Sequence, residues 1–257
     1  MKVLLYFVAA LLSFIIFMAV LTPAAVVWRL ISDEVSIPNL QVYQVSGTLW
    51  NGQAELKYRQ FPISSLHWEI DPLSLVYGDI ELEFLISGDS HEFSGEALLG
   101  HSRVAIVNLR GTLGSRYIND VSRSQGYTIS GEFEVRDVNL ATDFRLFNDA
   151  GGRVYWSGGR IVSLNEPGTR VWDLPSLEGD LDLVDSSVEL LIHREQASVV
   201  DIRLKPDGWM SVTIKGRLLS LAKLPLPSAT GMQDTVLEFE EKVFWPRKSS
   251  GEYFEHD

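Results

Sequence analysis

The side chains able to do chemistry in this chain are few, and their spacing suits none of the common mechanisms. His91-Glu92 opens like a zinc-peptidase helix, but Gly95 stands where the second histidine is required. His101 lies ten residues beyond His91, off the i, i+4 spacing that puts two ligands on one helix face. Gly100-His101-Ser102-Arg103-Val104 is half of a nucleophile elbow, without its second glycine or a strand–turn–helix pattern around it. No GxxxxGK or GxGxxG phosphate loop occurs, and the absence of cysteine excludes disulfides and thiolate sites. Carboxylates are abundant, but they alternate with apolar residues and so mark a solvated strand face. A working acid–base pair needs distinct environments for its two members. The sequence therefore leads us to expect no catalytic residue, no metal ligand and no cofactor.

The aromatic residues carry more information. Gly47-Thr48-Leu49-Trp50-Asn51-Gly52 is followed by Trp68-Glu69-Ile70-Asp71-Pro72 and later by Tyr155-Trp156. Trp50, Trp68 and Trp156 are expected as packing residues on strands, with Trp50 and Trp68 largely buried. The competing role is a rim where a partner strand or an acyl chain lies.

The elements that must position these residues are mostly strands. Ile80, Leu82 and Phe84 alternate with Asp79, Glu81 and Glu83, and the same period of two recurs at 132–136, 179–183 and 200–205. Pro206-Asp207-Gly208 supplies a turn between two arms of a hairpin, and Asn165-Glu166-Pro167-Gly168 supplies another. An apolar-x-Gly-x-apolar motif repeats irregularly around Gly47, Gly111, Gly131, Gly179 and Gly216. Such glycines mark strand bends or close backbone approach. The fold expected is mainly β: a long, coiled, mostly antiparallel sheet, shaped as a β-roll or groove. Beyond Asp33 no helical period is sustained.

The N-terminus differs in kind. Val3 to Leu21 is apolar except for Ser13, long enough for a hydrocarbon core that needs ~20 helical residues. Thr22-Pro23-Ala24-Ala25 would suit a signal peptidase, yet the run exceeds the ~7–15 residues of a signal h-region. A retained transmembrane anchor is expected. The division read from the sequence is an anchor and exit over 1–31, a β-rich domain over 32–230, and an acidic, poorly ordered tail over 231–257. The chain carries 22 Lys+Arg against 34 Asp+Glu. Two of those cations, Lys2 and Arg29, belong to the anchor segment, so the remainder is more acidic still. It repels phosphate backbones, which excludes nucleic acid as a partner.

The Pro23-Ala24 exit, the Gly-Thr-Leu-Trp-x-Gly segment (Gly47, Thr48, Leu49, Trp50, Gly52), Trp68 with Pro72, and the recurring Leu-x-Gly-x-Leu strands resemble protein N of the type II secretion system. The resemblance covers roughly Met1 to Leu226. It implies a non-catalytic accessory or scaffold component that helps export folded proteins across the outer membrane. The implied place is the inner membrane of a Gram-negative cell, crossed once, with the bulk of the chain in the periplasm. The implied partners are inner-membrane platform subunits and the outer-membrane secretin. A second resemblance, to the AsmA-type envelope proteins, would instead imply a β-groove that handles lipids or envelope assembly. A closed core favours the scaffold, and a continuous open groove favours the carrier.

Overall fold

The structure is a computed structural model that describes residues 2–32, 39–59, 61–123, 126–163, 170–227 and 230–243. The chain opens with helix α1 (Lys2–Val20) and a second, shorter helix α2 (Ala24–Ile31). Six strands follow: β1 (Leu40–Gly47), β2 (Asn51–Tyr58), β3 (Ser64–Ile70), β4 (Ile80–Gly88), β5 (His91–Leu99) and β6 (Val104–Gly114). Helix α3 (Ser115–Ser122) precedes β7 (Tyr127–Ile129), β8 (Glu132–Thr142), β9 (Phe147–Trp156), β10 (Gly159–Ser163) and β11 (Arg170–Leu174). The last part comprises β12 (Leu177–Val184), β13 (Ser187–Arg194), β14 (Ala197–Leu204), β15 (Trp209–Lys215), α4 (Gly216–Leu221) and β16 (Thr235–Lys242).

Thirteen of these strands form one antiparallel sheet in the order β1-β2-β3-β4-β5-β6-β8-β9-β12-β13-β14-β15-β16. The path is a meander interrupted only where β7, β10 and β11 leave to form a small sheet of their own. The large sheet is open, with β1 and β16 at its edges. Pairing of nearest neighbours in sequence follows from the short connections, since a tight turn returns the chain antiparallel to itself. Gly208 at φ +87 makes the β14–β15 turn, as its sequence signature requires. Strands β10 and β11 pair as the second expected hairpin, although its turn residues 165–168 lie outside the described residues.

Alternation gives the sheet two chemically distinct faces. One carries Leu66, Trp68, Leu82, Phe84, Ile86 and Phe93 on β3–β5, and continues through Val135, Val154, Leu181, Leu190, Ile202 and Val212. The other carries Glu69, Glu83 and Glu96, which oppose one another across three neighbouring strands. Cross-strand ion pairs join Arg203 to Glu189, Lys215 to Asp201 and Lys205 to Glu240. These are partly or largely exposed and each contributes little, ~0–1 kcal/mol.

A line of irregularities crosses the middle of the sheet. The register shifts between Ser94 and Glu96, between Ile106 and Gly111, and between Arg136 and Asn139. Asn108 and Asp137 take positive φ there, and Gly152 sits at φ +125 on the next strand. Each bulge adds twist and bends its strand, so bulges aligned over neighbouring strands coil the sheet.

Two small core clusters form on the apolar face, near opposite ends of the strands. Trp156, Leu174, Leu177 and Val199 gather Ile129, Phe133, Ile161 and the α4 residues Leu218 and Leu221. Phe147, Ala150 and Val188 gather Leu140, Leu181 and Leu204. The small sheet and α4 thus cover one end of the face.

Several expectations need correction. Among the described tryptophans the most deeply buried is Trp156, at 7 % exposure, while Trp50 and Trp68 keep part of their surface exposed. Gly216 opens helix α4 instead of lying in a strand, and α3 is a second helix in a region expected to sustain no helical period. The stretch read as a tail contributes edge strand β16, seven of whose residues pair with β15; positions 244–257 lie outside the described residues. Among the described residues no helix is long and apolar enough to cross a membrane, so the span expected over Val3–Leu21 is not established by the fold. What is present there is α1, 19 residues long, with Leu4, Leu5, Phe7, Leu12, Phe14 and Phe17 exposed. Its side chains at 2, 3, 15, 16 and 19 are outside the described set.

Candidate docking face

The residues marked by the sequence for chemistry do not come together. His91 and Glu92 begin β5, where alternation sends them to opposite faces. Gly95 is a mid-strand residue whose added Cβ would meet Leu109 Cα at 3.2 Å. His101 and Ser102 sit exposed in the β5–β6 connection. Among the described residues no group of three or more His, Asp or Glu is placed to hold a metal ion.

His91 does have a partner that the sequence does not reveal. Ser64 Oγ lies 2.8 Å from His91 Nε2, and both side chains are buried. The Tyr117 ring of α3 sits 4.4 Å from the imidazole and stacks on Phe61 at 5.0 Å. Burial pushes the His91 pKa below its ordinary 6.5, with the Asp89 carboxylate opposing that shift. Burial likewise raises the Tyr117 phenol, moderated by its hydrogen bond with Ser64. A serine–histidine pair becomes a nucleophile when a third group orients the histidine and a substrate can reach it. Here Nδ1 has no hydrogen-bond partner among the described residues, and the hydroxyl is sealed under aromatic rings. The arrangement fixes α3 onto the sheet end and offers no route to hydrolysis.

The protonation of His91 has a measurable consequence. Because its native pKa is depressed, the neutral form is the one the fold favours. The unfolded chain takes up a proton as the pH falls through about 6.5 while native His91 resists until lower pH. Stability from this source is complete above that value and declines below it. Urea midpoints measured at several pH values are expected to fall on acidification, with a smaller slope for His91→Gln.

The family-type residues come together at the opposite end of β2 and β3. Gly47 takes φ +84 and pairs with Gly52 on the return strand, so Gly47–Gly52 spans the β1–β2 turn. Trp68 Nε1 donates to the Leu49 carbonyl at 2.9 Å, and its ring lies where a side chain on Gly52 would stand, 2.3 Å from an added Cβ. Ile70 N–H donates to the Trp50 carbonyl at 2.7 Å. The Leu49 N–H donates to the Thr22 carbonyl at 2.9 Å, and Pro23 forms an antiparallel bridge with Thr48. The turn therefore joins the N-terminal helices to the sheet. Pro72 lies apart, beside the short helical turn Ser74–Tyr77.

Helix α2 then lies over β1–β3 and closes an apolar cavity of about 270 Å³. Ala24, Val27 and Trp28 form its roof, and Val42, Ala54, Leu66 and Trp68 are among the residues of its floor. The two free sheet edges differ. Edge β1 carries a bulge between Tyr43 and Ser46, with Gln44 at φ +51. Edge β16 is regular over Leu237–Lys242 and carries Glu238, Glu240 and Glu241, with Leu237 and Phe239 exposed. Bulges and edge charges both discourage unspecific strand addition.

A sequence profile described as type II secretion system (T2SS), protein N matches residues 38–225. The chain belongs to this family. The matched stretch takes in the meander from β1 to β15, together with α4, the Gly47–Gly52 turn, Trp68 and Pro72. Helices α1 and α2 and the edge strand β16 lie outside it. No curated protein and no solved structure matches the chain. Membership of the family puts the chain in type II secretion, among the other components of that machinery.

Proposed function

We propose that the chain is a non-catalytic accessory component of the type II secretion apparatus, anchored in the inner membrane by α1 with its β domain in the periplasm. The observation that carries this reading is the junction between Thr22-Pro23 and Thr48-Leu49, where backbone pairing joins the helical segment to the family's most distinctive turn. A flexible tether would leave the domain free to tumble. A paired junction fixes how the sheet stands relative to the anchor, which suits a part that must present a surface to fixed neighbours. The exposed apolar side chains of α1 support the anchoring, because water offers them no compensation.

The partners proposed are inner-membrane platform subunits and the secretin, met at the sheet edges. Strand β16 offers regular backbone groups and a carboxylate row, suited to a basic strand added by β-augmentation. The open apolar face gives a second reading, lipid handling, its one specific support.

Topology and contact test this together. A periplasm-dependent phosphatase fused to the C-terminus of the full chain is expected to be active, and the fusion to stay with membranes after a carbonate wash. Photocrosslinkers at Glu238 or Glu240 should capture another secretion component. An inactive fusion, or release by carbonate, would contradict the anchored topology.

A further inference from the structure

We infer that the cavity between α2 and strands β1–β3 is a binding site for one acyl chain of a membrane phospholipid. The inference rests on the anchoring proposed above and goes beyond it by assigning a ligand.

The cavity is lined by apolar residues only, from Ala24, Val27 and Trp28 on the helix to Ala54, Leu66 and Trp68 on the sheet. It offers no charged side chain and no hydroxyl, so a peptide backbone entering it would lose hydrogen bonds to water without replacement. An apolar space of about 270 Å³ takes the terminal part of a hydrocarbon chain without burying any polar group.

The second observation concerns the outer side of α2. A helix roofing a water-soluble sheet should be apolar towards the sheet and polar away from it. Helix α2 buries Ala24, at 4 % exposure, yet its other side presents Val26 at 49 % and Leu30 at 75 %. Arg29 is its one charged residue. Apolar on both sides, α2 is fitted to a non-aqueous setting, and only Leu21, Thr22 and Pro23 separate it from α1. With α1 as the anchor proposed above, the cavity stands beside the segment that leaves the bilayer. The apolar molecules present there are lipid acyl chains. A chain rising from the adjacent leaflet would complete the packing of Trp28 and Trp68 and hold the sheet against the membrane.

Trp68 supplies the test. It stands on β3 and lines the cavity. The full chain is reconstituted in phosphatidylcholine vesicles brominated on the acyl chains, and its fluorescence is compared with that of Trp68→Phe. The component due to Trp68 is expected to be quenched, and Ala54→Phe, which fills the cavity, to restore it. Should Ala54→Phe fail to fold, Val42→Phe fills the same space from the edge strand. A chain that floats with the vesicles but keeps Trp68 unquenched would overturn the inference and leave the anchoring intact. The same result accompanied by self-crosslinking would assign the cavity to a second copy. A chain that fails to float would overturn the anchoring and this inference with it.

Discussion

Replacing Trp156 by alanine is expected to be among the most damaging single changes in the sheet, at ~3–5 kcal/mol, the usual range for removing a buried large aromatic. Trp156 joins three elements at one point. Its ring stacks on Phe133 with centroids 5.8 Å apart, and its Nε1 donates to the Ser130 carbonyl at 3.1 Å. It also sits in the cluster that holds the small sheet and α4 on the apolar face. Truncation would leave a void and an unpaired carbonyl. Thermal unfolding should show a midpoint lower by roughly 6–20 °C, given ~2–4 °C per kcal/mol for a domain of this size. Trp68→Ala should cost less, because Trp68 is only half-buried. Equal effects at the two positions would show that the core does not centre on Trp156.

The second large effect is expected at Gly152, and its neighbour is the control. Gly152 sits at φ +125, and a Cβ there would meet Val138 Cα at 2.5 Å and the Asp137 carbonyl at 2.8 Å. Both obstacles are backbone of the facing bulge, which a rotamer change cannot relieve. Gly152→Ala therefore combines backbone strain of ~1–3 kcal/mol with overpacking of ~1–3 kcal/mol. Gly151, one residue earlier, would place a Cβ no nearer than 4.0 Å to the Leu181 carbonyl. Gly151→Ala should stay within ~0.5 kcal/mol of the parent. Denaturant unfolding of the pair separates a specific bulge requirement from a general sensitivity of β9. Equal midpoints would mean that the central bend is not held as described.

Much of the sheet was legible because its information is local. The alternation through Ile80, Leu82 and Phe84 places β4 and its faces, and Pro206-Asp207-Gly208 places the β14–β15 hairpin. The errors arose where local pattern and tertiary context diverge. Ile214-Lys215-Gly216-Arg217-Leu218 repeats the glycine-centred strand pattern, yet the chain turns into α4 at Gly216, where Leu218 and Leu221 gain burial against the Trp156 cluster. Thr235–Lys242 reads as an acidic tail because Glu238, Glu240 and Glu241 dominate it. It becomes a strand because β15 presents an unpaired edge.

The candidate site was legible only in part. The residues of the Gly47–Gly52 turn and Trp68 stand out in the sequence, but nothing local says that Leu49 meets Thr22 or that α2 folds back over β1. The Leu49–Thr22 bond alone joins positions more than twenty residues apart. Trp28, just past the apolar run, has the sequence signature of a membrane-interface residue, and nothing local shows that it roofs a cavity. Ser64 carries no signal at all, since its link to His91 spans 27 positions.

The central claim, that this chain serves secretion as a non-catalytic part, is tested most directly by deleting it in its own host. The quantity to measure is the partition of a type II-exported protein between medium and periplasm. The account predicts that the exported protein accumulates, folded, in the periplasm while outer-membrane lipid composition is unchanged, and that His91→Gln and Ser102→Ala variants restore secretion when reintroduced. Normal secretion in the deletion strain, accompanied by altered outer-membrane lipids, would contradict it.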